Sequence, residues 1–535
     1  MLRSLGIFAV ITGAVALAWH GWGQPVLMPP SPLGSDEKLT CMSYAPFHGD
    51  QAPFTWNLRI PDRQIEGDLE RLSQSASCIR TYSARGPQGR IARLASRFDL
   101  EVLQGVWLNR NRAENRREIE AALRLARHHP DTIKGLIVGS ETLLRGELPP
   151  DAIRSYLEET SRRSSHPVTY ADVWEFWLKA PQLASAADFV TIHILPYWED
   201  DPVSEGEAVA HVREVRRKVA AAFPGKEIVI GEVGWPSRGR MREGALPSPA
   251  NQARFLTGVV QMAKAENWQV NLVEAFDQPW KRLMEGTVGG YWGLYDDTLR
   301  ELKFRFGAPV SNHPDWRLKA GLGIGAAFLV CVAYWLGIRE GRRRESPWRC
   351  DIGAAAIALA SGLAFGLAAI NLPIEGEVPA DRLRSAAMLV LALVVPMAVS
   401  FALGRGDRLP GFAPALDPSH WRARDLVAVV LAALLAATVI AAIHAGLGLV
   451  FDPRYKDFPF AALLGPVVAL AVLALAGGTL ASRPGPAEIA TATVLAGSAL
   501  FVVCNEGTAN WQALLFGALL LILALSALRV KAAPS

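Results

Sequence analysis

Glu227-Ile-Val-Ile-Gly-Glu-Val-Gly-Trp235 reads as a buried strand that delivers a carboxylate to its end. Ile228, Val229 and Ile230 are consecutive and β-branched, so both faces of the segment are apolar. That is the pattern of a parallel strand covered on both sides. Glu232 follows after one glycine. A second segment, Gly135-Leu-Ile-Val-Gly-Ser-Glu141, has the same form. Each Glu is preceded by a small residue, Gly231 or Ser140, which is expected to let a substrate approach the backbone.

Working outward, strand-like segments also occur at 39–47, 78–83, 102–108, 168–173, 189–198 and 269–276. Helical periodicity fills the intervals at 62–76, 87–98, 112–128, 150–164, 174–186, 205–222 and 250–266. Eight strands alternating with helices predict an α/β fold, a (β/α)8 TIM barrel spanning residues 38–312. A doubly wound open sheet is the alternative; it calls for a Gly-rich phosphate turn after an early strand, and the sequence has none there.

Beyond residue 315 the composition changes to Ala, Leu, Val and Gly. The 535 residues are 50% hydrophobic and 20% charged, with a net charge of +4. The mean hydropathy of +0.18 excludes a disordered chain. No basic face carries interleaved aromatics, so nucleic acid is not an expected partner. Apolar stretches at 318–338, 351–371, 385–403, 426–449, 460–481, 488–504 and 511–528 predict about seven transmembrane helices within residues 316–530, with a lipid bilayer as partner. An eighth, at 5–22, is read as an uncleaved signal-anchor within residues 1–23, with a cleaved signal peptide as the alternative. Residues 24–37 read as a Pro-rich linker.

Lys and Arg in the short loops set the orientation. Arg339, Arg342, Arg343, Arg344 and Arg349 lie in one loop. Arg405, Arg408, Arg422 and Arg424 lie in another, and Arg529 and Lys531 in the tail. Those segments are expected to be cytoplasmic. The loops at 372–384, 451–459 and 505–510, with fewer basic residues, then share the opposite side with residues 24–315.

The five cysteines do not make a disulfide scaffold, and none forms a CxxC or Cys/His cluster of metal-ligand spacing. Cys41 and Cys78 fall on the first two predicted strands; a disulfide and two buried thiols are both open readings.

In a barrel of this kind the site lies at the C-terminal ends of the strands. Those ends carry Tyr44, then Arg80 and Tyr82, Trp107 and Asn109, Ser140 and Glu141, Tyr170 and Asp172. His193 and Tyr197, Glu232 and Trp235, and Glu274, Gln278, Trp280 and Lys281 complete the rim. Aromatic faces stack on sugar rings, while carboxylates and amides bind hydroxyls. Glu on strands four and seven faces Glu across the barrel mouth, where the pair can flank one glycosidic bond.

Four segments then make a specific resemblance. Gly231-Glu-Val-Gly-Trp-Pro-Ser is similar to the nucleophile signature of glycoside hydrolase family 17. Val138-Gly-Ser-Glu-Thr-Leu-Leu-Arg resembles its acid/base segment, and Ala275-Phe-Asp-Gln-Pro-Trp-Lys and Tyr291-Trp-Gly-Leu-Tyr resemble two more. The resemblance covers residues 38–310 and implies a β-1,3-glucanase or β-1,3-glucanosyltransferase with retaining chemistry. Glu232 would be the nucleophile and Glu141 the general acid/base. Tyr44, Arg80, Tyr82, Ser140, Tyr170, Tyr197, Trp235, Glu274, Gln278, Trp280 and Lys281 would bind the β-glucan. No metal or organic cofactor is implied. Ser140 and Gln278 depart from the family, where Asn and Glu are common, and so bear on subsite affinity.

The added spans favour a remodelling enzyme at a membrane over a secreted glucanase. Some bacterial members accompany systems that make periplasmic β-1,3/β-1,6-glucan. The resemblance therefore implies a multi-pass protein of the bacterial inner membrane, its barrel periplasmic, with a membrane β-glucan synthase as partner. Hydrolysis alone and a non-catalytic glucan-binding or assembly factor are the alternatives.

Overall fold

A computed structural model describes residues 2–341, 347–376, 378–410, 426–476 and 485–528. After helix α1 (Leu2–Trp22), the eight apolar segments form β1 (Cys41–Ser43), β2 (Cys78–Arg80), β3 (Glu101–Val106), β4 (Ile133–Ser140), β5 (Val168–Val173), β6 (Val190–His193), β7 (Ile228–Val233) and β8 (Val270–Leu272). They close a barrel in chain order, β1 pairing with both β2 and β8, and every pairing is parallel. The (β/α)8 expectation holds and the open sheet is excluded.

The helices between strands are α2 (Asp62–Ser75), α3 (Ile91–Ala95), α4 (Arg112–His128), α5 (Pro150–Arg163), α6 (Trp174–Lys179), α7 (Glu205–Ala222) and α8 (Pro249–Glu266). Their starts are chemically specified. Asn111 caps α4 by accepting from the amides of Ala113 and Glu114. Ser248 caps α8, whose first position is Pro249. Two elements are shorter than expected. The 87–98 helix breaks into α3 flanked by 3-10 turns, and α6 stops before Pro181, which cannot continue a helical hydrogen-bond ladder. One helix was not expected: α9 (Arg282–Gly289), in the loop after β8.

The apolar side chains of the strands, such as Ile230, Ile192 and Val138, join the helices in a single core. The barrel interior is polar and internally bonded. Asn271 Nδ2 donates to Ser43 Oγ and to the Gly231 carbonyl, each at 2.7 Å. The Thr169 and Thr191 hydroxyls lie 3.0 Å apart. This explains Gly231 differently from the sequence expectation: a Cβ there would sit 2.3 Å from Thr191 Cγ2, so the residue is small to fill the barrel and not to admit a substrate.

The C-terminal half is helical: α10 (Trp316–Glu340), α11 (Pro347–Asn371), α12 (Pro379–Arg405), α13 (Leu426–Phe451), α14 (Phe460–Ala476), α15 (Pro486–Glu506) and α16 (Trp511–Leu528). Among the described residues, six of its helices are long and apolar enough to cross a membrane. The expected spans at 5–22 and 460–481 differ. Their apolar helices, Gly6–Trp22 and Phe460–Ala476, are shorter, and 477–481 lie outside the described residues. The 488–504 segment, the shortest expected, is a 21-residue helix. Helix α1 packs on α10 and α11. Arg342, Arg343, Arg344, Arg422, Arg424, Arg529 and Lys531 lie outside the described residues.

Cys41 and Cys78 are joined by a disulfide that ties β1 to β2 across a sequence separation of 37. Cross-linking a loop of that length stabilises a fold by about 2–4 kcal/mol. Replacing both cysteines by Ser is therefore expected to lower the unfolding free energy of the barrel by about that amount. Denaturant unfolding followed by barrel tryptophan fluorescence would measure it, and an unchanged midpoint would contradict the cross-link.

Candidate active site

β7 carries Glu232 and β4 ends one residue before Glu141, so both carboxylates rise from the same end of the barrel. Glu141 adopts a left-handed conformation (φ 53°), which turns the chain sharply off the strand. Between the two stands His193, the last residue of β6, fully buried and paired in register with Glu232. Its Nδ1 lies 2.7 Å from Glu141 Oε1 and its Nε2 lies 3.8 Å from Glu232 Oε1. The three facing atoms of Glu141, His193 and Glu232 all lie within 4.8 Å of one another.

Arg80 closes the other side. Its guanidinium donates to Glu232 Oε1 and, at 2.8 Å, to Ser140 Oγ, and it lies 4.4 Å from the centre of the Tyr82 ring. At the β8 end Lys281 donates to Glu274 Oε2 at 2.7 Å. Burial alone would raise the pKa of Glu232. The charges of His193, Arg80 and Lys281, with the Arg80 hydrogen bond, outweigh it and hold the carboxyl well below the usual range, at about 2. The surrounding acids move the other way. Burial pushes Asp172 up to about 6 against the Tyr170 hydroxyl bond, with Glu141 adding to the rise. Burial also raises Glu274 against the pull of Lys281. Glu285, half-buried on α9, is raised to about 7 by desolvation, again opposed by Lys281.

The sequence candidates thus divide. Arg80, Tyr82, Ser140, Glu274 and Lys281 gather around Glu232, and Glu141 faces it across His193. Several polar atoms here are buried with no partner among the described residues: Tyr82 Oη, Glu274 Oε1, His193 Nε2 and Arg80 Nε. A sugar offers the hydroxyls that such atoms need. Four aromatic candidates are instead part of the framework. Tyr44 is fully buried and donates to Asp68 at 2.9 Å. Tyr170 donates to Asp172 and accepts from the Leu143 amide. Tyr197 donates to the Arg240 carbonyl and is flanked by Trp198, Trp235 and Trp292, while Trp235 donates to the Leu246 carbonyl. Gln278 bridges the Ala45 carbonyl and Trp280 Nε1, and Trp280 meets Phe47 and Phe54 edge-on at the rim.

The sequence assigned no role to His193 or Glu285. His193 was legible only as a strand-end residue. Glu285 follows Lys281 by four positions, the spacing of side-chain neighbours on a helix, a signal that becomes readable once α9 is known.

Residues 41–293 match the BtgE/BtgC glycoside hydrolase domain. A cell surface mannoprotein, MP65, of Candida albicans is 26% identical over 172 residues, which are 31% of this chain and 45% of that protein. A glucan 1,3-beta-glucosidase of Arthroderma benhamiae is 24% identical over 297 residues, 51% of this chain and 95% of the relative. The chain thus spans under half the length of the first and nearly all of the second. The crystal structure of a glycoside hydrolase family 17 beta-1,3-glucanosyltransferase from Rhizomucor miehei superposes with a TM-score of 0.44 at 22% identity, covering 50% of this chain and 95% of that one.

Replacing Arg80 by Met removes one of the cations that hold Glu232 ionised. The acid limb of the activity–pH profile, set near pH 2 by this carboxyl, is then expected to move upward toward the ordinary carboxylate range. A profile of kcat/KM whose acid limb stays in place would contradict this role for Arg80.

Proposed function

We propose, on the premise that residues 41–293 are a glycoside hydrolase domain of the BtgE/BtgC family, that this chain remodels β-1,3-glucan as a retaining β-1,3-glucanosyltransferase. The observation that carries the mechanism is the approach of Glu141 and Glu232 to within 4.8 Å through their facing atoms. Retaining glycosidases hold their carboxyls about 5–5.5 Å apart, whereas inverting enzymes leave room for a water at about 6.5–9.5 Å. The substrate class is supported by the printed name of the Arthroderma relative.

Glu141, protonated on the oxygen that does not face His193, gives its proton to the glycosidic oxygen as that bond breaks. Glu232, kept ionised by Arg80, His193 and Lys281, attacks the anomeric carbon and forms a glycosyl ester. Glu141, now a carboxylate, takes the proton from an incoming hydroxyl, which displaces Glu232 and restores both groups. A sugar hydroxyl at that step gives transfer, and water gives hydrolysis. Arg80, Tyr82, Ser140, Glu274 and Lys281 hold the sugar hydroxyls. No metal or organic cofactor has a step in this scheme.

Six long apolar helices support a membrane location, with residues 1–23 as an anchor, 24–37 as a linker, 38–312 as the catalytic domain and 316–530 as the membrane domain. A barrel fixed at a bilayer meets a nascent chain, which favours transfer onto periplasmic β-1,3/β-1,6-glucan beside a membrane synthase. Hydrolysis alone, as a membrane-tethered β-1,3-glucanase, is the second reading, favoured by the name of the Arthroderma relative. The pairing of the two carboxylates argues against a non-catalytic assembly factor.

Incubating the detergent-solubilised chain with a β-1,3-linked gluco-oligosaccharide tests the reading. Products longer than the substrate are expected, and shorter sugars alone would establish the hydrolase. Glu141→Gln is expected to slow turnover by about 10²–10⁴-fold, and Glu232→Gln to abolish the glycosyl ester seen by intact mass. Undiminished activity in Glu232→Gln would refute the mechanism.

A further inference from the structure

Three consecutive rim loops carry the nucleophile side of the cleft, and all three end on the helical half of the chain. After β6, the Trp198 carbonyl accepts from Arg454 at 2.8 Å, and the Trp198 ring meets Tyr455 at 5.7 Å. After β7, Arg240 donates to Glu506 and to the carbonyls of Pro453 and Lys456. In the same loop the Met241 amide donates to Gln512, the Met241 carbonyl accepts from Asn510, and the Glu243 amide donates to Glu506. After β8, Thr287 Oγ1 donates to Asp457 at 2.7 Å and Arg282 donates to the Ile374 carbonyl.

The centre of this contact is a buried ion pair. The side chains of Arg240 and Glu506 are 2% and 6% exposed. Each charge is removed from water only because the other half of the chain covers it. An unpaired charge in that position is strongly unfavourable, so the pair specifies the docked arrangement. The β8 loop links this contact to the chemistry. Lys281 immediately precedes α9, which bears Glu285 and, beyond a non-helical kink at Gly286 (φ 67°), Thr287, which bonds Asp457. Lys281 in turn holds Glu274 and contributes to the charge on Glu232.

We propose that the helical half is a positioning part of the catalytic site and not only its anchor. The Arg240–Glu506 pair fixes the β7 loop that follows Glu232, and the Thr287–Asp457 bond fixes α9, so that Lys281 stays on Glu274 beside Glu232. Arg240, Glu506, Thr287 and Asp457 are positioning residues and touch no substrate. The inference rests on the retaining reading given above.

The test uses the full chain in detergent, with a β-1,3-linked gluco-oligosaccharide as substrate. Competent sites are counted by covalent trapping with a 2-deoxy-2-fluoro-β-glucosyl fluoride and intact mass. Displacements of about 1 Å at a catalytic group cost up to about a hundredfold. Glu506→Gln is expected to lower kcat per trapped site about tenfold or more. Its pH profile should shift as the β7 loop, and with it Glu232, moves relative to Arg80. Adding Arg240→Gln, which removes the stranded charge, should restore much of the loss. Thr287→Val, which deletes a single hydrogen bond, should move kcat per site and the pH profile in the same direction even where Glu506→Gln does not fold. A kcat per trapped site and a pH profile unchanged in Thr287→Val and in any folded Glu506→Gln would overturn the inference while leaving the retaining mechanism intact. Absence of turnover and of trapping in the unsubstituted chain would overturn the mechanism itself, and with it this proposal.

Discussion

The charge on Glu232 is the constraint around which the barrel mouth is arranged. A carboxylate this buried would ordinarily take up a proton, because desolvation penalises the ionised form. Here Arg80 donates to it directly, His193 stands 3.8 Å away and Lys281 adds a further positive field. Arg80, His193 and Lys281 arrive from three different strand ends, β2, β6 and β8. The closed barrel is what lets residues far apart in sequence gather around one carboxylate. Arg80 is separated from Glu232 by 152 positions.

Keeping one carboxylate ionised has a consequence for the others. Glu274, Asp172 and Glu285 are all raised, by burial first and then in part by neighbouring carboxylates. The site therefore separates its acids into one held strongly ionised and several that take protons readily. That asymmetry sets Glu232 apart from the acids packed around it. His193 touches both roles: its Nδ1 meets Glu141, and its Nε2 points toward Glu232 with no partner of its own among the described residues.

Most of the barrel was legible because parallel strands buried on both faces leave a continuous apolar mark, and because helices α4, α7 and α8 are amphipathic with clear starts. Glu141 and Glu232 were legible because each follows such a run. The aromatic residues were harder. A strand end places Tyr, Trp and Arg alike on the rim, but the direction of each side chain depends on its register in the closed sheet. Arg80 and Tyr82 turn inward to Glu232, whereas Tyr44 turns to Asp68 and Tyr197 to the Arg240 carbonyl. Those partners lie in other elements, and no local pattern names them. Gly231 shows the same limit: its neighbour Thr191 belongs to the adjacent strand.

The helical half carries its own topological argument. Helix α1 ends beside the start of α10: the Gly23 carbonyl accepts from Ser311, and Val26 pairs with Val310. The barrel is thus inserted between two neighbouring helices and leaves both on one side. Among the described residues beyond α10, hydrogen bonds and ring contacts reach the barrel from 374, 453–458 and 506–512. They follow α11, α13 and α15 respectively, so the chain returns to the barrel after every second helix. Helices α14 and α15 lie between the second and the third of these returns. Helix α14 has 17 described residues and is shorter than the six long apolar helices. The same three loops are those in which the sequence places few basic residues. A barrel entered and left on that face, with its β6, β7 and β8 loops resting on it, is held there at several points.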